Sequence, residues 1–216
     1  MRTDRRLHRR SDADGEDRNR LDVAGPAFFH RCGRASVAVL AVLLACAASG
    51  CGNGSKHSDE STFVSKTFVG LADSYVRASD PNTNYGNNAE IFVDGSPPVR
   101  AYLRFQPIGV SKKIGHATLR LYSLSTSGDG FQVRSVAGGW SEASLTYANA
   151  PAVGPLVSLS GPLDKNHWVS IDATATVRKH PASVDFALVA LGPTALTLAS
   201  RIDERHAPRL VVEYGR

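Results

Sequence analysis

Tyr102, Arg104, Arg120, Tyr122 and Arg134 are the residues of this chain whose types and spacing point to chemistry. Arginine presents a planar fork that donates two parallel hydrogen bonds to a carboxylate. Tyrosine adds an apolar ring face and a hydroxyl. Tyr102 and Arg104 stand two apart in AYLRF, Arg120 and Tyr122 two apart in ATLRLY, and Arg134 follows Gln132 by two in FQVRSV. Residues two apart on a strand share a face, and neighbouring strands lie about 4.8 Å apart. The pattern therefore predicts one outward patch of arginine and tyrosine, suited to a ligand bearing carboxylates. The competing reading is an ordinary solvated strand face, on which arginine stems cover neighbouring rings. Trp140 and Tyr147, in the run GGWSEASLTYANAP, form a second candidate platform, although Trp140 also reads as a plug closing the core.

Strands must position these residues. Leu103 and Phe105 alternate with Tyr102 and Arg104, and Leu119 and Leu121 alternate with Thr118, Arg120 and Tyr122. Such period-two patterning marks strands with one buried face. The same reading places one or two strands within 63–77, and single strands over 89–93, 131–136, 167–172, 183–191, 196–201 and 209–214. Residues 173–180 are left for one or two helical turns, and Trp168 is expected to anchor the core. Many short strands with regular turn signals predict an all-β fold, a jelly-roll β-sandwich of mostly antiparallel strands.

The formal charge of +5 over 216 residues invites a polyanion reading until it is divided by position. Residues 1–51 hold nine arginines against six acids, leaving 16 bases and 14 acids for the rest. The body is nearly neutral, so a nucleic-acid partner is not expected. All three cysteines precede residue 52, so the body forms neither a disulfide nor a thiolate metal site. Val37–Ala48 is apolar, follows Arg31 and Arg34, and is too short for a comfortable span. It fits a signal-peptide core ending in Ala48-Ser49-Gly50-Cys51, which resembles a bacterial lipobox with Cys51 as the lipidated residue. Leu44-Ala45-Cys46 is a second candidate, and an ordinary secretory signal is the alternative. The expected organisation is an N-terminal extension and signal peptide over 1–51, a flexible Gly/Ser/charged tether over 52–61, and a module over 62–216. The expected location is outside the cell, anchored by lipid at the outer face of a bacterial membrane.

Asp80-x-Asn82-x-Asn84 offers an oxygen spacing that a calcium loop uses, yet Tyr85 and Ile91 stand where an EF-hand needs glycine and glutamate. An Asx-turn loop without an ion is the stronger reading, and the metal content stays open. No G-x-S-x-G, H-E-x-x-H or phosphate-binding glycine loop occurs. His116, His167, His180 and His206 show no ligand spacing. Glu142, Asp172 and Asp185 are the carboxylates that would have to pair in space to hydrolyse a glycosidic bond. Glu142 is expected to cap a turn, and Arg201, Asp203, Glu204 and Arg205 to form a surface ion-pair cluster.

Several motifs follow in a fixed order: Ala72-Asp73-x-Tyr75-Val76-Arg77, Asn84-Tyr85-Gly86, AYLRF, ATLRLY and Trp140-Ser141-Glu142, then Leu145-Thr146-Tyr147-x-Asn149-x-Pro151, FALVAL, Ala199-Ser200-Arg201 and PRLVV. Together they resemble the DNRLRE domain, also classed as carbohydrate-binding module family 96, over about residues 64 to 214. The resemblance implies a secreted, non-catalytic jelly roll, commonly attached to polysaccharide-degrading enzymes, with alginate binding known for some members. The expectation is thus an exported polysaccharide-binding module, for acidic glycans of the uronate type, in association with glycan-degrading enzymes. Its alternative is a structural cell-surface or adhesion module with no glycan ligand.

Overall fold

The computed structural model describes residues 63–110 and 113–215. Cys51, Cys46, the leader and the 52–61 tether lie outside the described residues. The chain forms β1 (Phe63–Val69), β2 (Ala72–Arg77), β3 (Glu90–Gly95), β4 (Pro98–Phe105), β5 (Ile114–Ser123), β6 (Phe131–Val136), β7 (Val153–Leu159) and β8 (His167–Asp172). Helix α1 (Thr174–Lys179) then leads to β9 (Val184–Ala190), β10 (Leu196–Ala199) and β11 (Arg209–Gly215). The expected all-β sandwich is met.

Strand pairing is antiparallel throughout and falls into two sheets. A front sheet joins β1 to β11 and β11 to β5, with β8 also on β5, and β10 linking β5 to β3. A rear sheet joins β2, β4, β9, β6 and β7. β3 turns the corner between them: its body pairs with β10, while Asp94 and Gly95 pair with Val99 and Pro98 of β4. β7 is a strand the periodicity did not predict. Pro155 interrupts its run, and proline is tolerated at a sheet edge, which is where β7 lies.

The apolar phase of each strand meets its counterpart between the sheets. Leu103 and Phe105 of β4 and Leu119 and Leu121 of β5 point inward as the alternation predicts, beside Phe131, Val133, Phe186, Leu188, Leu210 and Val212. Phe105 and Phe186 pack edge to face, 6.2 Å between centroids. Each such burial stabilises the fold by about 1.5–3 kcal/mol. α1 closes one end, because Arg178 donates to the carbonyls of Ile114 (2.8 Å) and Gly115 (2.5 Å) at the start of β5.

A polar lock fastens the long segment between β6 and β7 to this frame. Glu142 Oε1 accepts from the Asp73 backbone N–H (2.9 Å) and from Arg201 Nε (2.6 Å), and Oε2 accepts from Arg201 Nη2 (2.5 Å). Asn84 Nδ2 donates to the carbonyls of Glu142 and Leu145, each at 2.8 Å. Gly86 sits against the same turn, where a Cβ would run into the Glu142 carbonyl. Glu142 is therefore a bridge between loops rather than a turn cap. Arg201 leaves the expected cluster for Glu142, while Asp203 pairs with His206 at 2.8 Å. Asn149 braces the segment from within, donating to the Ser144 carbonyl and accepting from the Thr146 N–H, both at 2.8 Å.

Asp73 is the buried carboxylate of this lock. Its oxygens accept from Ser200 Oγ (3.0 Å) and the Arg201 N–H (2.6 Å). Burial pushes its carboxyl up from the ordinary 3.8 to about 6, against the lowering effect of those hydrogen bonds and with Glu142 raising it further. A raised acid means that the folded state holds the proton more tightly than the unfolded chain. Stability should therefore fall as pH rises from about 4 to 6, by an order of 3 kcal/mol from this group alone. Asp172 and Asp203 are held low by Thr174 and His206 respectively, so their opposite effect belongs below this window. Urea denaturation across the window should show the decline in the natural chain and its absence in Asp73→Asn.

Candidate functional site

The two sheets turn their outer faces to opposite sides of the sandwich, and this divides the predicted residues. Tyr102, Arg104, Arg134, Trp140 and Tyr147 belong to the rear side, while Arg120 and Tyr122 belong to the front. The single patch expected from the alternation does not exist.

On the rear side the face expected to be wet is covered. Tyr102 is 0% exposed, with its hydroxyl donating to the Pro151 carbonyl at 3.1 Å. Burial raises the pKa of that hydroxyl above its ordinary range. Trp140 lies over the sheet, 6.1 Å from the Tyr102 ring, and packs with Ala72, Val76, Leu145 and Ala187 in a second small core. Its indole N–H donates to Asp185 Oδ1 at 2.7 Å. Arg104 Nε donates to the same oxygen at 2.8 Å, and Nη1 to the Trp140 carbonyl at 3.0 Å. Trp140 thus closes a core, and Arg104 is spent holding it there. Alternation reports which residues share a face, but it cannot report that a loop from elsewhere lands on them.

The remaining rear-side residues are engaged with their own surroundings. Arg134 Nε donates to the Gly154 carbonyl (2.9 Å) and Nη1 to Gln132 Oε1 (2.7 Å), bracing β6 against β7. Tyr147 packs against the second core and carries the Arg100 guanidinium 4.9 Å from its ring centroid.

The front side is open. Arg120 of β5 sits opposite Arg209 of β11 on one side and Ser170 of β8 on the other. Tyr122 sits opposite Trp168. Trp168 is not a core anchor: it shares the outer phase of β8 with Ser170 and Asp172, while Val169 and Ile171 face inward. The Arg120 and Arg209 guanidiniums lie 5.0 and 4.9 Å from the Trp168 ring centroid. His206 stacks on Tyr122 at 3.9 Å, and Tyr122 meets Trp168 edge on at 5.4 Å.

Two cations directly opposite each other on adjacent strands repel. Here neither Arg120 nor Arg209 forms an ion pair with a carboxylate among the described residues. Arg120 Nε is also buried without a hydrogen-bond partner. Trp168 holds both guanidiniums in place through its ring, a contact worth about 0.5–1 kcal/mol at an exposed site. The next row holds Thr67, Val211 and Thr118 with Asp172 beside Thr118, and the row after it holds Glu213 opposite His116. The positive end of the face is therefore local and lies against its aromatic rings. A depression of about 300 Å³ runs beside Trp168, bordered by Asp164, His167 and Ser170.

Sequence reading missed Trp168, His206 and Arg209. The phase of HWVSID and of RLVVEYG carried the signal for two of them, since each alternates apolar with polar residues. The carboxylates that would need to pair for glycoside hydrolysis stand in separate networks: Asp172 on the front with Thr174, Asp185 on the rear with Arg104, and Glu142 with Arg201. Among the described residues no three His, Cys, Asp or Glu side chains gather to hold a metal ion. In the Asp80 loop, Asp80 Oδ2 accepts from Ser79 and Tyr85, each at 3.2 Å, and the Asn84 amide group is spent on the lock.

The covered rear face yields its own expectation. Arg104→Ala leaves Asp185 buried beside Trp140 without its charged partner, so it should cost on the order of 2–3 kcal/mol in urea denaturation.

No curated protein matches the chain. Residues 64–214, which hold both sheets, the lock and the Trp168 face, match the model of carbohydrate-binding module family 96, and the chain belongs to that family.

Proposed function

We propose that this chain binds acidic polysaccharide on the outer face of its front sheet, at the Trp168 end. The observation that carries the reading is the pair Arg120 and Arg209, opposed across two strands, without carboxylate partners, and stacked on a half-buried tryptophan. A uronate unit supplies what the pair lacks. Its carboxylate accepts from a guanidinium fork, and its C–H groups lie against the Trp168 and Tyr122 rings. The face crosses four strands, roughly 14 Å at ordinary strand spacing, so an extended chain can lie along it. Its openness suits internal segments of a polymer. The family setting supports a binding role rather than a catalytic one.

In this reading export and anchoring come from the leader: the apolar run to Ala48 directs secretion, and Cys51 carries the lipid. The 52–61 tether then holds the module away from the membrane, where it presents or retains polysaccharide, alone or beside enzymes that degrade it.

Affinity electrophoresis in polyuronate gels tests the binding face. The natural chain should be retarded, and retardation should weaken with salt because the contacts are ionic. Arg120→Ala with Arg209→Ala, and separately Trp168→Ala, should each weaken retention at least tenfold while leaving a cooperative unfolding transition. Unchanged retention in both variants would favour a structural surface module without a glycan ligand. For the anchor, Cys51→Ser should move the exported protein from the membrane fraction to the soluble one; persistence of membrane association in that variant rules Cys51 out.

A further inference from the structure

A second pocket lies away from the front face, and its chemistry differs. Between the β6–β7 hairpin and the segment from α1 into β9 is a cleft of about 400 Å³, inside the range of about 300–1,000 Å³ typical of small-molecule sites. Val136, Val153 and Val184 give it apolar walls, and Thr176 and His180 add polar groups at its rim. The hairpin that shapes it is irregular, with breaks in register between Val133 and Arg134 and between Arg134 and Val136. Such bulges re-aim side chains and collect beside binding sites.

Asp185 lines this cleft and is only 7% exposed. Both donors that reach it, Arg104 Nε and Trp140 Nε1, go to Oδ1. Among the described residues none donates to Oδ2, which lies 3.5 Å from the place a Cβ would occupy on Gly138, another residue of the cleft wall. With Oδ1 saturated by Arg104 and Trp140, Oδ2 is the acceptor that Asp185 offers to the cleft. A neutral ligand with paired hydroxyls and an apolar edge fits an open acceptor set beside valine walls.

We propose that this cleft binds a single neutral sugar residue, with vicinal hydroxyls donating to Asp185 Oδ2 and ring C–H groups against the valine walls. Acidic sugars are disfavoured there because their carboxylate meets that of Asp185. The site is independent of the front face, and together the two give the module one surface for an acidic chain and one pocket for a neutral unit.

The chain contains two tryptophans, one beside each site, so its two indole N–H signals separate the sites in one NMR spectrum. The probes are the methyl glycosides of glucose, mannose and galactose, and of glucuronic acid, each titrated to about 50 mM, which reaches millimolar affinities. At least one neutral glycoside should shift the Trp140 signal saturably while Trp168 stays still, and the glucuronoside should leave Trp140 unmoved. Gly138→Ala places a methyl at ordinary contact distance from Oδ2 without a clash, and should weaken that response at least tenfold. Ala152→Phe, which adds bulk to the cleft wall from an exposed position, should do the same. A Trp140 signal that none of the neutral glycosides moves, or an equal response in both variants, overturns the proposal. A Trp168 signal that ignores polyuronate counts against the front-face reading alone.

Discussion

Oδ1 of Asp185 accepts two hydrogen bonds, one from Arg104 and one from the Trp140 indole, and the layout of the whole molecule follows from that small junction. Residues 81 and 45 positions apart are drawn to one oxygen, and with them the loop that carries Trp140 is drawn down over the rear sheet. Because Trp140 lies there, Tyr102, Ala187, Val76 and Leu145 are dry and form a second core. Because that side is closed, only the front sheet presents a broad face across β1, β11, β5 and β8. A charged pair in a dry place is weak support for stability by itself, since desolvation offsets most of the attraction. Its value here is positional: it decides which sheet is covered and where the loop must sit.

The lock of Asp73, Glu142 and Arg201 serves the same end from the other side of the loop. Asn84, Gly86, Trp140, Glu142, Asn149 and Arg201 are among the residues that made the chain resemble its family, and nearly all of them hold that loop down. The shared motifs thus describe how the rear sheet is closed. They say little about what the front sheet meets. This explains how a family can be recognised from a sequence whose ligand is not.

Much of the fold was legible because alternation is a local signal. AYLRF and ATLRLY announce their buried phases directly, and Leu103, Phe105, Leu119 and Leu121 all obey. The covering loop was not legible, because nothing in YLRF announces a partner at Asp185. Trp168 was misread for a different reason. Large aromatics are so often buried that residue type suggests a core anchor, whereas the phase Trp168 shares with Ser170 and Asp172 points outward. β7 was hidden by Pro155, a residue that argues against a central strand but is permitted at an edge.

The uneven distribution of charge on the front face bears on why its arginines persist. Arg120 and Arg209 face each other at one end, while Asp172 of β8 stands in the next row and Glu213 of β11 two rows away, all on the same outward phase. Placing those acids opposite the arginines would relieve the repulsion between neighbouring cations at no cost to the core, because all four positions point outward. Stability alone therefore favours a mixed arrangement, and the segregated one gives some of it up. Surface ion pairs contribute little, about 0–1 kcal/mol, so the loss is small. What the segregation preserves is a pair of guanidiniums without carboxylate partners, fixed in direction by Trp168 and, for Arg209, by the Arg205 carbonyl that accepts from Nη2 at 2.8 Å. An arginine paired within the protein must first give up that partner before it can bind an anion, whereas this pair is preorganised for one.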